Sequence, residues 1–154
     1  MVLLFPGTVT VLVPYTILML TGQLHSGPWS LYQFCAATVI FGGITLLFQS
    51  VWAFAYIGRG TLAPFDETDK LVIVGPYRFV RNPMYVGVLL ILVGEAWFFG
   101  SFWLLGYAGF MLVAFDIYII GYEEVRLRSK YGDDYEQYME DVCRWRLRRP
   151  AVQR

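Results

Sequence analysis

The chain has 154 residues, of which 57% are hydrophobic and 18% aromatic, and its formal net charge is zero. With a mean hydropathy of +0.52, it is too apolar for an ordinary soluble domain, and its length allows one domain. All 12 Lys and Arg residues lie within 59–81 or 126–154, and residues 1–58 carry no charge. The sequence therefore predicts an all-α integral membrane protein, with no indication of a nucleic-acid or protein partner.

Four apolar segments approach the ~20 residues that a membrane-spanning helix needs. They cover residues 2–20, 31–57, 84–100 and 102–122. Only Gly100 and Ser101 separate the third segment from the fourth, which predicts an antiparallel hairpin. Because basic residues concentrate on the cytoplasmic side of membranes, we expect both termini and the 59–81 loop to be cytoplasmic.

The tail and the few metal-binding side chains add little chemistry. The segment from Arg144 onward holds five Arg and no acid, so it suits either a simple topogenic anchor or contact with anionic lipid headgroups. The first segment lacks the basic residues of a cleavable signal peptide. Cys35 and Cys143 are expected on different sides of the fold, so we predict no disulfide. With His25 as the single histidine, no metal or haem site is expected.

A polar loop, GPYRFVRNPMY, leads into the third segment over residues 75–85. Pro83 fits the first helical position and Asn82 fits the N-cap, where free backbone N–H groups can face an anion. Arg78 and Arg81 add cationic donors that can hold a carboxylate. The alternative is a capped helix start whose arginines merely snorkel to the membrane surface.

Two adjacent acids, Glu123 and Glu124, follow the fourth segment. Acids at a helix C-terminus oppose the helix dipole, and a bound cation would explain them. Ordinary ion pairs with the nearby Arg126, Arg128 and Lys130 are the alternative explanation.

Two further acids lie inside the apolar segments. Asp116 is seven residues before Glu123, so the two should share a helix face about two turns apart. Such intramembrane acids usually face a polar cavity or a partner. Glu95 lies near the outer end of the third segment, where we interpret it as structural, bonded to a Trp or to the first turn.

An amphipathic cytoplasmic helix is predicted over 125–142, and Gly132 is expected to interrupt its pattern. Its apolar side could cap the polar site, but packing is the simpler interpretation of the spacing. The residues on that side are Leu127, Tyr131, Tyr135, Tyr138 and Val142.

Together the two polar segments resemble the superfamily of isoprenylcysteine carboxyl methyltransferases and phospholipid methyltransferases. The family pattern is GPY-x-x-x-R-[HN]-P-x-Y-x-G, followed about 40 residues later by EE-x-x-L, an aromatic-Gly pair and Y-x-x-Y. The matching residues are Gly75, Pro76, Tyr77, Arg81, Asn82, Pro83, Tyr85 and Gly87, then Glu123, Glu124, Leu127, Tyr131, Gly132, Tyr135 and Tyr138.

This resemblance implies a methyltransferase that uses S-adenosylmethionine, releases S-adenosylhomocysteine and methylates a lipophilic acceptor from the bilayer. It implies a cofactor-binding core over 58–146, after two N-terminal spans (1–57) and before a basic tail (147–154), and a bacterial inner-membrane location. By the same resemblance, the cofactor would be held by Gly75, Pro76, Tyr77, Arg78, Arg81, Asn82, Pro83, Tyr85, Glu123 and Glu124. Glu124, Arg126 and Tyr85 would lie nearest the reacting groups.

The identity of the acceptor stays open. Prenylcysteine enzymes have His at the position of Asn82, so their substrate is not implied here; a lipid amine and a prenylcysteine-like carboxylate are both compatible. A non-enzymatic four-span transporter or a lipid-binding protein is the alternative, since Asp116 and Glu95 could mark a transport path.

Overall fold

The computed structural model describes residues 4–24, 29–57, 71 and 73–146. Within these residues the fold is entirely helical. The predictions for His25, for residues 58–70 and for the tail at 147–154 lie outside the described residues. The helices are α1 (Leu4–Gly7), α2 (Val13–Thr21), α3 (Leu31–Ile57), α4 (Pro83–Phe99), α5 (Phe102–Tyr118), α6 (Glu124–Tyr131) and α7 (Asp133–Asp141).

Two of the apolar helices are long enough to cross a membrane, Leu31–Ala53 and Phe102–Tyr131. Thr8–Thr21 and Pro83–Phe99 are shorter apolar helices. Only 17% and 28% of the residues in the most apolar windows of the two long helices are buried. A core helix of a soluble protein would be mostly buried, so this exposure fits contact with lipid. The count of four crossings and the hairpin stay predictions.

Helix α4 occupies the centre of the bundle, because α3, α5 and the π-helical turn Thr8–Leu12 between α1 and α2 all contact it. The contact with α3 is a close approach of backbones. A Cβ added at Gly43 would lie 2.8 Å from the Gly87 carbonyl oxygen, and one added at Gly87 would lie 2.9 Å from the Leu47 nitrogen. Small residues allow membrane helices to pack in this way. The second glycine of the polar loop's pattern, Gly87, therefore has a packing explanation.

Replacing Gly43 with alanine is expected to destabilise the protein by about 1–3 kcal/mol, because the added methyl group meets backbone atoms that cannot rotate away. The neighbouring Gly42→Ala is a matched control, since a Cβ at Gly42 meets nothing within 4 Å. The thermal unfolding midpoints of both variants in detergent check this. Equal midpoints would show that α3 and α4 are not held in close contact.

The end of the bundle that holds the α4–α5 turn is fixed by a small polar contact. Gly100 ends α4 with φ +60, and Ser101 caps α5 by accepting a hydrogen bond from the Leu104 backbone N–H at 3.3 Å. The Ser101 hydroxyl also donates to Gln23 Oε1 at 2.5 Å. The contact ties the turn to the chain just beyond α2.

The prediction that the fourth helix ends with its apolar segment, next to Glu123 and Glu124, is wrong. After α5 the helix continues through a π-helical turn, Ile119–Glu123, into α6, so it runs unbroken from Phe102 to Tyr131. In the π-helical turn the Glu124 backbone N–H bonds to the Ile119 carbonyl, five residues back. Glu123 and Glu124 therefore lie within a helix, and the argument from the helix dipole does not apply to them.

The predicted interruption at Gly132 is confirmed. Gly132, with φ +53, separates α6 from α7, so the amphipathic stretch consists of two helices. Its apolar side packs as one cluster, in which Tyr135, Tyr138 and Val142 are buried. Leu71, Ile73, Leu127 and Tyr131 pack against that cluster, which supports the interpretation of the stripe as packing.

Candidate functional site

The loop before α4 begins with a tight turn that its sequence dictates. Gly75 has φ +56, a left-handed conformation that glycine adopts without a steric penalty, and Pro76 starts the 3₁₀ turn Gly75–Arg78. Pro83 then occupies the first position of α4 and Asn82 its N-cap, as predicted. The Asn82 side chain, although buried, makes no capping hydrogen bond.

Glu124 lies between two arginines. Its side chain is buried, and its Oε1 atom accepts hydrogen bonds from Arg81 Nη1 at 3.2 Å and from Arg144 Nε at 2.9 Å. Its Oε2 atom accepts one from Arg144 Nη2 at 3.0 Å. The hydrogen bonds to Glu124 raise the pKa of the Arg144 guanidinium. The structure thus gives Glu124 long-range partners, rather than the arginines of α6 that its sequence neighbourhood suggests.

The chain after α7 returns to this carboxylate and to the loop. The Arg81 backbone N–H donates to the Cys143 carbonyl at 3.0 Å, directly before Arg144 in the sequence. Val142 is fully buried in the aromatic cluster. Three segments therefore contact one another in turn: the loop before α4 at Arg81, α6 at Glu124, and the segment after α7 at Cys143 and Arg144.

Asp116 also belongs to this network, but not with the predicted partner. Its Oδ1 atom accepts hydrogen bonds from Arg144 Nη1 at 3.3 Å and from Trp145 Nε1 at 3.0 Å. The prediction that Asp116 shares a face with Glu123 assumes regular helical spacing, whereas the π-helical turn inserts one extra residue between them. Asp116 consequently shares the partner Arg144 with Glu124, eight residues later.

Glu123 has a different environment from its neighbour. Its Oε2 atom accepts a hydrogen bond from the Tyr85 hydroxyl at 3.1 Å, and the Tyr85 ring packs on Phe115 with a centroid distance of 4.8 Å. Within the described part of the chain no arginine or lysine pairs with Glu123 and its Oε1 atom accepts no hydrogen bond. Of the acid pair, Glu123 is therefore the member that has no cationic partner among the described residues.

Tyrosines connect the loop to α6 and α7. Burial raises the pKa of the Tyr77 phenol, and the nearby Glu123 carboxylate raises it further. Burial likewise raises the pKa of Tyr138, whose hydroxyl donates to the Tyr77 carbonyl at 2.6 Å. Both phenols are therefore neutral hydrogen-bond donors at physiological pH, and Tyr77 lies on the same side of the site as Glu123.

Arg126, a predicted site residue, points away from this arrangement. Two residues along an α-helix point about 200° apart, so Arg126 projects almost opposite to Glu124. Its Nη1 atom lies 3.5 Å from the Tyr122 hydroxyl. The groove on that side has a volume of about 470 Å³ and is lined by Gly121, Tyr122, Val125, Arg126, Ser129 and Lys130.

A second groove and Glu95 lie away from the site. The groove, of about 360 Å³, is apolar and surrounds the α4–α5 turn at the other end of the bundle, so it offers no charged group to a cofactor. Glu95 lies in the last two turns of α4. Its Oε2 atom is buried and makes no hydrogen bond within the described residues, so the predicted bond to a Trp is absent there.

The sequence interpretation missed Arg144 and Trp145 as members of the site, because both appeared to belong to an unspecific basic tail. The available signal was the count of buried charges. A chain with Asp116, Glu123 and Glu124 close together needs cations nearby, and Arg144 is the first cation after the helices end.

A family model described as phospholipid methyltransferase matches residues 31–134, which include both the loop and the acid pair. An uncharacterized protein of Haemophilus influenzae is 41% identical over 63 residues, covering 40% of this chain and 98% of that protein. No solved structure matches the chain. Since the family match covers more than half of the sequence, the chain belongs to the phospholipid methyltransferase family, within the superfamily that includes the isoprenylcysteine carboxyl methyltransferases.

Proposed function

We propose that the protein is an S-adenosylmethionine-dependent membrane methyltransferase that methylates a lipophilic acceptor, either a lipid amine or a prenylcysteine-like carboxylate. The family is one of membrane methyltransferases. The observation that supports the proposal most is the division of the acid pair. Glu124 is neutralised by two arginines, whereas Glu123 presents an available carboxylate beside a loop that carries Arg78 and Arg81.

The residues of this site fit the charges of the proposed cofactor. S-adenosylmethionine carries a sulfonium, an α-ammonium and a carboxylate, so its site needs an acid and a cation close together. Glu123 supplies the acid. Arg81 supplies a donor, because its Nε atom is buried and has no hydrogen-bond partner within the described residues. A buried unpaired donor is costly, and a bound carboxylate would remove that cost.

In this proposal the loop from Gly75 to Pro83 holds the carboxylate of the cofactor and Glu123 holds its α-ammonium group. Tyr85 orients Glu123 through the hydrogen bond between them. Glu124 contributes indirectly by fixing Arg81. Tyr77 and Asn82 contribute polar groups to the wall of the site. Arg126 would meet the acceptor's headgroup rather than the cofactor, since it lies on the outer side of α6.

The bound cofactor would supply an electrophilic methyl group. The role of the protein is to place the acceptor in line with that methyl group and to exclude water. These two effects can account for a large share of catalysis. A carboxylate acceptor needs no base, whereas an ammonium acceptor must first lose a proton.

For topology we propose four crossings with a hairpin of α4 and α5, a 1–154 methyltransferase domain, and a cytoplasmic site in a bacterial inner membrane.

Titration calorimetry with S-adenosylhomocysteine on the detergent-purified protein tests the proposal. Micromolar binding is expected. Adenosine should bind more weakly, because it lacks the α-ammonium and the carboxylate. Incubation with labelled methyl donor and fractionated lipids then identifies the acceptor. Absence of binding by folded protein contradicts the proposal.

A second candidate function is a non-enzymatic transporter or lipid-binding protein. The observation that favours it is the buried Glu95 oxygen, since unpaired carboxylates within membrane helices often mark transport paths. Proton-coupled uptake by reconstituted protein that binds no S-adenosylhomocysteine would support this alternative.

A further inference from the structure

Arg144 lies outside both polar segments and outside the region matched by the family model, yet it contacts the centre of the site. We propose that Arg144 is a positioning residue for cofactor binding, which acts through Glu124 and Arg81 without touching the cofactor. The inference rests on the proposed function, and it adds a residue that neither the motifs nor the family match includes.

The geometry of Arg144 is that of a clamp between two carboxylates. Each of its three guanidinium nitrogens donates to a different oxygen: Nε to Glu124 Oε1, Nη2 to Glu124 Oε2 and Nη1 to Asp116 Oδ1. The planar guanidinium matches such a set of acceptors, whereas the point charge of a lysine cannot span it. The clamp therefore depends on the shape of the side chain as well as on its charge.

The clamp continues into the loop that precedes α4. Glu124 Oε1, which Arg144 holds, also accepts the hydrogen bond from Arg81 Nη1. The Arg81 backbone N–H is bonded to the Cys143 carbonyl, one residue before Arg144. The short segment thus fixes the backbone of Arg81 directly and its side chain indirectly, through Glu124.

Glu123 is the neighbour of Glu124, so a helix held at Glu124 presents Glu123 at a fixed distance from the loop. Without Arg144, Glu124 keeps one arginine partner instead of two, and the polar contacts left to the segment after α7 are those of the Cys143 carbonyl and of Trp145. Glu123 and Arg81, the acid and the cation of the proposed cofactor site, would then no longer be held at a fixed distance from each other. Loss of Arg144 should weaken cofactor binding even though the cofactor-contacting side chains are unchanged.

The test uses full-length protein carrying Cys35→Ala, which leaves Cys143 as the single thiol. In this background Arg144→Ala, Arg144→Lys and the control Arg146→Ala are compared, because Arg146 is an exposed arginine two residues further on. Two quantities are measured: the dissociation constant for S-adenosylhomocysteine and the alkylation rate of Cys143. The affinity of Arg144→Ala is measured again with guanidinium chloride at non-denaturing concentration.

We expect Arg144→Ala and Arg144→Lys to bind S-adenosylhomocysteine at least about tenfold more weakly and Arg146→Ala to bind normally. Cys143 should be alkylated faster in Arg144→Ala, and added guanidinium should restore part of its affinity. A merely structural role would not give that rescue in protein with an unchanged fold. If Arg144→Ala does not fold, Arg144→Lys decides the matter, because it keeps the charge.

Normal affinity in both Arg144 variants, or an equal loss in Arg146→Ala, overturns the inference. If the unmodified protein binds no S-adenosylhomocysteine, the proposed function fails, and a role of Arg144 in cofactor affinity fails with it. The alkylation rates of Cys143 distinguish failure of the proposed function from failure of the inference about Arg144. They show, without any cofactor, whether Arg144 holds the segment after α7.

Discussion

Glu124→Gln is expected to lower the free energy of unfolding by about 3 kcal/mol, the lower end of the range for removing one partner of a buried ion pair. The substitution leaves Arg81 and Arg144 without their shared carboxylate and turns an amide N–H₂ group towards a guanidinium. Arg81 is only 12% exposed, so its charge would stay buried, whereas Arg144 is 26% exposed and water would compensate part of its loss.

Unfolding of the detergent-solubilised protein, followed by tryptophan fluorescence, measures this effect. Trp145, one of five tryptophans, contributes to this signal from within the network, because its indole N–H is bonded to Asp116. A stability equal to that of the unmodified protein would mean that Glu124 is not the charge that holds the two arginines together.

Glu123→Gln is expected to differ from Glu124→Gln in stability, with little change in the free energy of unfolding and a large loss of cofactor affinity. The amide oxygen of glutamine can still accept the hydrogen bond from Tyr85, so the unfolding free energy should change by less than about 0.5 kcal/mol. The lost charge should weaken S-adenosylhomocysteine binding by roughly 10- to 150-fold, the range for a hydrogen bond to a charged group.

The two adjacent substitutions serve as controls for each other in calorimetry and in unfolding. Normal affinity in Glu123→Gln would remove Glu123 from the cofactor site. A loss of affinity confined to Glu124→Gln, in protein of normal stability, would instead assign the direct contact to Glu124.

The sequence was sufficient to predict the helical fold, the start of α4 at Pro83 and the interruption at Gly132. These features depend on local chemistry: apolar composition, the fixed φ of proline and the backbone freedom of glycine. It was not sufficient to predict where the fourth helix ends, because no residue around Ile119 distinguishes a π-helical turn from a regular α-helical turn. That single extra residue changed which acid shares a helix face, and the partner Arg144, with Asp116.

The arginine partners of Glu124 could not be predicted from the sequence either, for a related reason. Arg81 lies 43 residues before Glu124 and Arg144 lies 20 residues after it, so both contacts exist only once the bundle has formed. Local spacing favoured Arg126, Arg128 and Lys130 because a helix brings such neighbours close. Pairings between distant segments leave no periodic pattern in the sequence that would reveal them.

The unbroken helix from Phe102 to Tyr131 also acts as a ruler across the bilayer. At 1.5 Å per residue, the distance from Phe102 to Glu123 is about 32 Å, close to the ~30 Å of a typical hydrocarbon core. With Phe102 at one boundary of the lipid, the acid pair emerges at the other. Membrane thickness therefore sets the depth at which Glu123 meets water, and a thicker bilayer would draw this carboxylate towards the acyl chains.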